Sequence, residues 1–397
     1  MSEIEIPLSR QDITTLEIEM VTRVLRSGRL SNGPMQERFE AMVSRRAGTD
    51  HAVAVSSGTA GLHLVLLDLG IGPGDEVVTT PFSFIASSNC ILHVGAKPVF
   101  VDICPASLNM DPALVERAIT PRTKAILAVE TFGNPKHMDT YAAIAGRHEV
   151  PLIEDCCEAL GASLNGRAAG SFGRAGVFAF YANKQITTGE GGMIVTDDET
   201  LAEACRSMRN QGRPIVEPRM PVSEDDVPEP SNVASSLEHV RLGYNYRLSE
   251  LHAAVGVAQM SRLDEILERR RGVAGAYLDR LMGNPHLIVP TISPDTIMSW
   301  FLFVVRLVAG YTPEERDRIM RGMQMHEIGA APYFPCIHLQ PFYRSMFEFK
   351  AGDFPIAESV SQRTLALPFY TRLRHSEVDL VAQTLELMIE REQLSRA

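Results

Sequence analysis

The chain has 397 residues, 45% of them hydrophobic and 22% charged, with a formal net charge of −11. That composition suits one large core plus a smaller domain, and its acidic balance excludes general binding to a nucleic-acid backbone, which needs a basic surface. No apolar run approaches the length that crosses a bilayer, and the first residues lack the basic flank and apolar stretch of a signal peptide, so a cytoplasmic location is expected.

Strand and helix patterns alternate from about residue 51 to 196. Strands are expected at 52–55, 76–79, 98–101, 125–129, 152–155, 177–180 and 193–195. Helices are expected at 60–69, 85–94, 112–119 and 140–148, the last with Asp139 as its N-cap. Such alternation implies a mostly parallel sheet flanked by helices. The last two strands lie too close in sequence for a helical crossover, so one of them should run antiparallel.

Three places along this stretch carry chemistry. The first is Ser56-Ser57-Gly58-Thr59, where a strand turns into an apolar helix. Free backbone N–H groups and the positive helix end make such a turn a phosphate cradle, although an ordinary capped turn reads the same way. The second is Asp155, delivered by the apolar run Pro151-Leu152-Ile153 to the carboxyl end of a buried strand. Ligands bind at that edge of open α/β sheets, and a buried carboxylate needs a cation or strong donors. A protonated pyridine nitrogen is one such cation; a helix cap or a metal are the alternatives. The third is Lys184, which follows the run Val177-Phe178-Ala179-Phe180 and precedes the hydroxyl- and glycine-rich turn Thr187-Thr188-Gly189. An amine desolvated there is nucleophilic toward carbonyls, as a Schiff-base lysine must be; a merely solvated lysine is the plainer reading.

Further along, a helix is expected at 201–210, followed by a loop at 212–238 rich in Pro, Ser and acids, placed near the mouth of the site. Residues 248–271 read as one long amphipathic helix ending in Arg269-Arg270-Arg271, a cluster expected to be solvated or paired with acids. A strand at 300–307 and helices at 313–324 and 376–390 make up a smaller domain, so the chain divides into 1–250 and 251–397. The six cysteines, Cys90, Cys104, Cys156, Cys157, Cys205 and Cys336, show no metal-ligand spacing and read as reduced thiols, with no metal expected.

Phosphate cradle, strand-end carboxylate and buried lysine together suit pyridoxal 5′-phosphate, which carries a phosphate, a pyridine nitrogen and an aldehyde. With those residues in place, the chain resembles the DegT/DnrJ/StrS sugar aminotransferases over nearly its whole length. The likeness rests on Arg26-Ser27-Gly28-Arg29-Leu30-Ser31, Ser56-Ser57-Gly58-Thr59-Ala60, Gly72-Pro73-Gly74-Asp75, Gly95-Ala96-Lys97-Pro98 and Glu154-Asp155. It continues through Lys184 to Gly192, Gly243-Tyr244-Asn245-Tyr246-Arg247 and Tyr333-Phe334-Pro335-Cys336-Ile337-His338.

The resemblance implies an α/β, fold-type-I pyridoxal-phosphate-dependent transferase: a mostly parallel seven-stranded sheet flanked by helices, plus a smaller C-terminal α/β domain. It further implies a homodimer with shared active sites. The implied reaction moves an amino group from glutamate or glutamine to a keto sugar, nucleotide-linked, of the 4-keto-6-deoxy or 3-keto hexose kind. Amination of a cyclitol and a non-catalytic regulator are the alternatives; sugar dehydratases of this type carry histidine in place of the lysine, so Lys184 argues against that chemistry. By the same resemblance Lys184 bonds the cofactor and shuttles protons, Asp155 pairs with the pyridine nitrogen, and the Gly58 and Thr59 amides hold the phosphate. Phe84 stacks on the ring, Asn245 reaches the phosphate of a neighbouring subunit, and His338 lines the substrate side. Two positions depart from the family pattern. Ala179 stands where many relatives have a phosphate-binding serine, so another group must supply that contact, with Asn183 and Tyr181 as candidates. Glu158 stands where Gln or His is common beside the cofactor's 3-oxygen; a carboxylate there must be protonated, turned away or paired.

Overall fold

The computed structural model describes residues 6–214 and 238–396. Seven strands form its main sheet: β1 (His51–Val55), β2 (Glu76–Thr79), β3 (Lys97–Phe100), β4 (Thr123–Val129), β5 (Leu152–Asp155), β6 (Ala175–Ala179) and β7 (Gly192–Thr196). Their spatial order is β1-β7-β6-β5-β4-β2-β3. Pairings from β3 through β6 are parallel, and β7 runs antiparallel to both β6 and β1. The strands that carry the chemistry, β5 and β6, are therefore neighbours with their carboxyl ends on the same edge.

These strands are near-continuous apolar runs because helices cover both faces of the sheet. Val53, Val55, Leu127, Ile153, Val177 and Ile194 pack on one face; Ala54, Phe178, Met193 and Val195 pack on the other. Each fully buried Val, Ile or Phe contributes about 1.5–3 kcal/mol relative to exposure. Residues before 51 add two helices absent from the sequence expectation, α1 (Thr15–Ser27) and α2 (Pro34–Ala47). Thr14 and Glu17 form a reciprocal capping box that starts α1, so a local signal for that helix was present in the chain.

The crossovers are α3 (Gly58–Asp68), α4 (Ala86–His93), α5 (Pro112–Ala118) and α6 (Met138–Arg147), with α7 (Glu199–Arg209) following β7. Asp139 is not the cap of α6: the helix starts at Met138 behind His137, whose φ is 76°, and the Asp139 carboxylate accepts from Thr140 N at 2.7 Å inside the first turn. The loop expected at 212–238 falls almost wholly outside the described residues.

The expected long helix is two helices, α8 (Glu250–Ser261) and α9 (Leu263–Leu281), broken at Arg262 with φ −113° and ψ 9°. Asp12, Glu17 and Glu265 surround the Arg262 guanidinium at 3.3–3.5 Å, so the break fastens the N-terminal segment to the core. Nor does α9 end at the arginine cluster. Arg269 and Arg271 pair with Glu265 and Glu268, as expected of a solvated face. Arg270 differs: it is buried, and its guanidinium donates to the Trp300 and Phe301 carbonyls at 2.7 Å.

A second sheet of β8 (Leu287–Ile288), β9 (Phe303–Leu307) and β10 (Thr364–Leu367) is antiparallel, packed by α9, α10 (Pro313–Met325) and α11 (His375–Leu394). Residues Trp300 and Phe301, expected in the strand, precede it, and this leaves Phe301 free to face the main sheet.

Candidate active site

A cavity of about 470 Å³ opens at the carboxyl ends of β5 and β6, beside the N-terminus of α3. Gly58, Thr59, Phe84, Asp155, Glu158 and Lys184 all line it. The fold thus gathers residues spread over more than a hundred positions of sequence.

Lys184 sits on a loop fastened at several points. Its backbone N donates to the Tyr181 carbonyl at 3.0 Å, the Thr187 hydroxyl donates to Phe180 O at 3.2 Å, and Gly189 N donates back to Thr187 Oγ1 at 2.8 Å. Gly189 has φ 84°, which explains a glycine there. Lys184 Nζ lies 3.7 Å from Glu158 Oε1 and 4.1 Å from the centroid of the Phe301 ring, with the side chain 13% exposed. The amine is therefore partly desolvated, against one acid and one aromatic face.

Asp155 is buried and accepts two hydrogen bonds: Ser87 Oγ donates to Oδ2 at 2.7 Å, and Cys157 N donates to Oδ1 at 3.1 Å. Ser83 Oγ lies 2.9 Å from Ser87 Oγ and, with the Ser87 proton given to Asp155, is the donor of that contact. Among the described residues no cation pairs with Asp155, so a cationic ring nitrogen suits it.

Glu158 is buried, and Phe132 N donates to its Oε2 at 2.8 Å. Burial pushes its carboxyl up, while the Lys184 ammonium acts in the opposite direction. The acid is held against Lys184 and a backbone amide.

Behind Asp155, Glu154 accepts from Gly170 N at 2.9 Å and Gly173 N at 2.7 Å. Glu130 lies beside it, fully buried, and neither of its carboxyl oxygens has a partner among the described residues. Burial first, and then the Glu154 charge, push the Glu130 carboxyl well up. Burial raises Glu154 as well, to about 7, so the two acids hold a proton between them.

At the cradle, Ser57 Oγ caps α3 by accepting from Ala60 N at 3.1 Å, and the Gly58 and Thr59 amides, in the first turn, have no intrahelical acceptor. A Cβ on Gly58 would lie 2.6 Å from Cys157 Sγ and 3.0 Å from Ala179 Cβ, so only glycine fits. Tyr181 and Asn183 both line the cavity, and the buried Asn183 Oδ1 has no partner among the described residues. Phe84 is 62% exposed on the rim. An acid for a ring nitrogen, an amine for an aldehyde, helix-start amides for a phosphate and a free aromatic face together fit pyridoxal phosphate.

Two of the named residues lie outside this cavity, and only for His338 does that differ from expectation. Asn245 is exposed and bridges to Asn210, outside the lining of its own chain's cavity. His338 is fully buried: Nε2 lies 3.0 Å from Glu358 Oε1, and the ring packs on Phe354, so it does not line the cavity. The same sequence motif contributes Tyr333 and Phe334 to the lining instead. Phe301, Cys157, Glu190 and Ser87 also line the cavity. Cys157 was legible as a neighbour of Asp155, whereas Phe301 had no local signal.

Known proteins are similar to this chain over nearly its whole length. The family model described as the DegT/DnrJ/EryC1/StrS aminotransferase family matches residues 11–386. The chain is 38% identical over 382 residues to the spore coat polysaccharide biosynthesis protein SpsC of Bacillus subtilis, covering 95% of each. Among solved structures, it is similar to DesV of S. venezuelae, with a TM-score of 0.83 and 36% identity over 94% of each chain. It is also similar to the PMP-form of the putative sugar aminotransferase Spr1654 of Streptococcus pneumoniae, with a TM-score of 0.89 and 28% identity, covering 98% of this chain and 100% of that one.

Proposed function

This chain belongs to the DegT/DnrJ/EryC1/StrS aminotransferase family, a family of pyridoxal-phosphate-dependent enzymes, and from that premise we propose that it transfers an amino group from glutamate or glutamine to a nucleotide-linked keto sugar. The observation that carries this reading is the meeting of Lys184, Asp155 and the Gly58 turn around one cavity. That two of the similar proteins are described by polysaccharide biosynthesis and as a putative sugar aminotransferase supports a sugar as acceptor.

Bound in the cavity, pyridoxal phosphate would supply an electron sink for the pair left when the donor's α-carbon loses its proton. Lys184 would hold the cofactor and, once freed by the donor amine, move that proton through Nζ. Asp155, fixed by Ser87 and Cys157 N, would keep the ring nitrogen protonated. The amides of Gly58 and Thr59 would hold the phosphate, with Asn183 or Tyr181 in place of the missing serine at Ala179. Phe84 would orient the ring from the rim, a contact worth roughly 0.5–1.5 kcal/mol beyond burial. Glu158 would keep Lys184 on the cofactor side through their 3.7 Å contact.

The position of Asn245, exposed and away from its own cavity, supports a homodimer in which it serves the neighbouring copy. The six free thiols support work in a reducing, cytoplasmic setting. The division expected near residue 250 moves into α9, because Ala253 to Ile266 pack in the main core and Val273 to Leu281 pack on the second sheet. Incubating the loaded protein with 4-keto-6-deoxy and 3-keto hexose nucleotides, plus glutamate or glutamine, should yield an amino sugar nucleotide by mass spectrometry. Turnover of none of these, with a free keto sugar or cyclitol accepted instead, would remove the nucleotide-linked reading.

A further inference from the structure

A second cavity, of about 70 Å³, lies away from Lys184, where the loop after β3 meets β9. It is larger than one water needs, since roughly 10–15 Å³ suffices for that. Arg306 of β9 and Thr131, just beyond β4, both line it. Arg306 Nη1 donates to the Pro105 carbonyl at 3.1 Å, but its buried Nε has no partner among the described residues. Thr131 is 1% exposed, and its hydroxyl is unpartnered in the same sense. The charge that acts on Arg306 is another cation, Arg363; burial and that neighbour together push the guanidinium's pKa down. A half-buried guanidinium with a spare donor and no acid against it among the described residues is costly unless an anion meets it.

The rest of the wall is mixed: Leu108, Phe132, Leu302 and Val304 give it apolar surface, and Ser107 and Thr291 add hydroxyls. Leu108 and Phe132 have φ of 65° and 57°, left-handed values unusual for such side chains. Strain of this kind collects at ligand clamps. The segment that forms this wall also carries Phe132 N, the donor to Glu158.

We propose that this cavity is a second, non-catalytic binding site for a small monocarboxylate, whose oxygens accept from Arg306 Nε and Thr131 Oγ1 while its short aliphatic body lies against Leu108, Phe132 and Val304. Two donors match the two oxygens of a carboxylate. A phosphate carries more oxygens and more charge than these two donors meet, and Leu302 and Val304 on the wall offer it none.

The test titrates cofactor-loaded protein with butyrate by calorimetry, with n-butanol and inorganic phosphate as the other probes. Butyrate saturates one site per chain, while n-butanol and phosphate bind far more weakly. Excess glutamate, which competes at the Lys184 cavity, leaves the butyrate titration unchanged. Arg306→Met weakens butyrate by about tenfold or more, the loss of a charged donor, and Thr131→Val weakens it by about threefold to tenfold. Cofactor absorbance and circular dichroism report whether each variant is folded; should Arg306→Met not fold, the near-isosteric Thr131→Val decides. No butyrate binding, displacement by glutamate, an affinity unchanged in Thr131→Val, or phosphate binding in preference overturns the proposal.

Discussion

Ser87 Oγ stands 2.7 Å from Asp155 Oδ2, with Ser83 Oγ 2.9 Å behind it, so the buried acid is aimed by a chain of hydroxyls from the segment that also presents Phe84. Removing the acid and removing its support should differ in degree. Asp155→Ala is expected to weaken cofactor binding and slow turnover by at least about a hundredfold, since a charge-assisted contact to the ring nitrogen is lost. Ser87→Ala should cost only about threefold to tenfold, the worth of one hydrogen bond. Absorbance titration with pyridoxal phosphate and single turnover with glutamate measure both. Equal effects, or none for Asp155→Ala, would deny the pairing.

Gly58 offers a steric test of the phosphate cradle. A Cβ there would meet Cys157 Sγ at 2.6 Å, whereas the Ala179 Cβ at 3.0 Å has slightly more room to give. Gly58→Ala is expected to raise the dissociation constant for pyridoxal phosphate by about tenfold or more, from a displaced helix start. Adding Cys157→Ala should recover most of that loss by removing the sulfur. If the double variant binds no better than the single one, the sulfur is not what confines this turn.

Glu130 makes stability fall as pH rises. Its folded-state carboxyl is pushed well up by burial and by Glu154, so above the ordinary carboxyl range the native protein holds a proton that the unfolded chain has released. This contribution is full below the unfolded pKa, about 4.3, and is lost as pH climbs through the raised folded value. Glu130→Gln keeps the shape and has no proton to lose. Its melting temperature should exceed that of the parent by about 1–3 °C at pH 8, with the gap closing as pH falls to about 4. A parallel pH dependence in the two proteins would show that Glu130 is charged in the native state.

Asn245 tests the shared site. Lys184→Ala and Asn245→Ala homodimers should each be nearly inactive, and mixing them after reversible dissociation should restore up to about a quarter of parental activity, from mixed dimers with one intact site each. No recovery, while light scattering shows that mixed dimers form, would place Asn245 in its own chain's site or in none.

Much of the fold was legible because buried parallel strands are apolar runs bounded by turns: all seven strands of the main sheet lie within two residues of expectation. The antiparallel strand was legible from the short gap between Ala179 and Gly192. What failed depended on geometry between elements. The break at Arg262 has neither proline nor glycine to announce it; it is set by Asp12 and Glu17, some 250 positions away in sequence. The motif ending in His338 supplies Tyr333 and Phe334 to the cavity wall, while His338 itself is buried against Glu358. Phe301 reaches Lys184 only because the small sheet packs its entering chain against the large one.

Lys184 carries the whole account, and covalent trapping tests it most directly. The protein is loaded with pyridoxal phosphate, reduced with borohydride, digested and sequenced by mass spectrometry. The account predicts one cofactor-derived mass per chain, on Lys184, and none on that peptide in Lys184→Ala. A label on another lysine, or a loaded protein that retains no label after reduction, would contradict it.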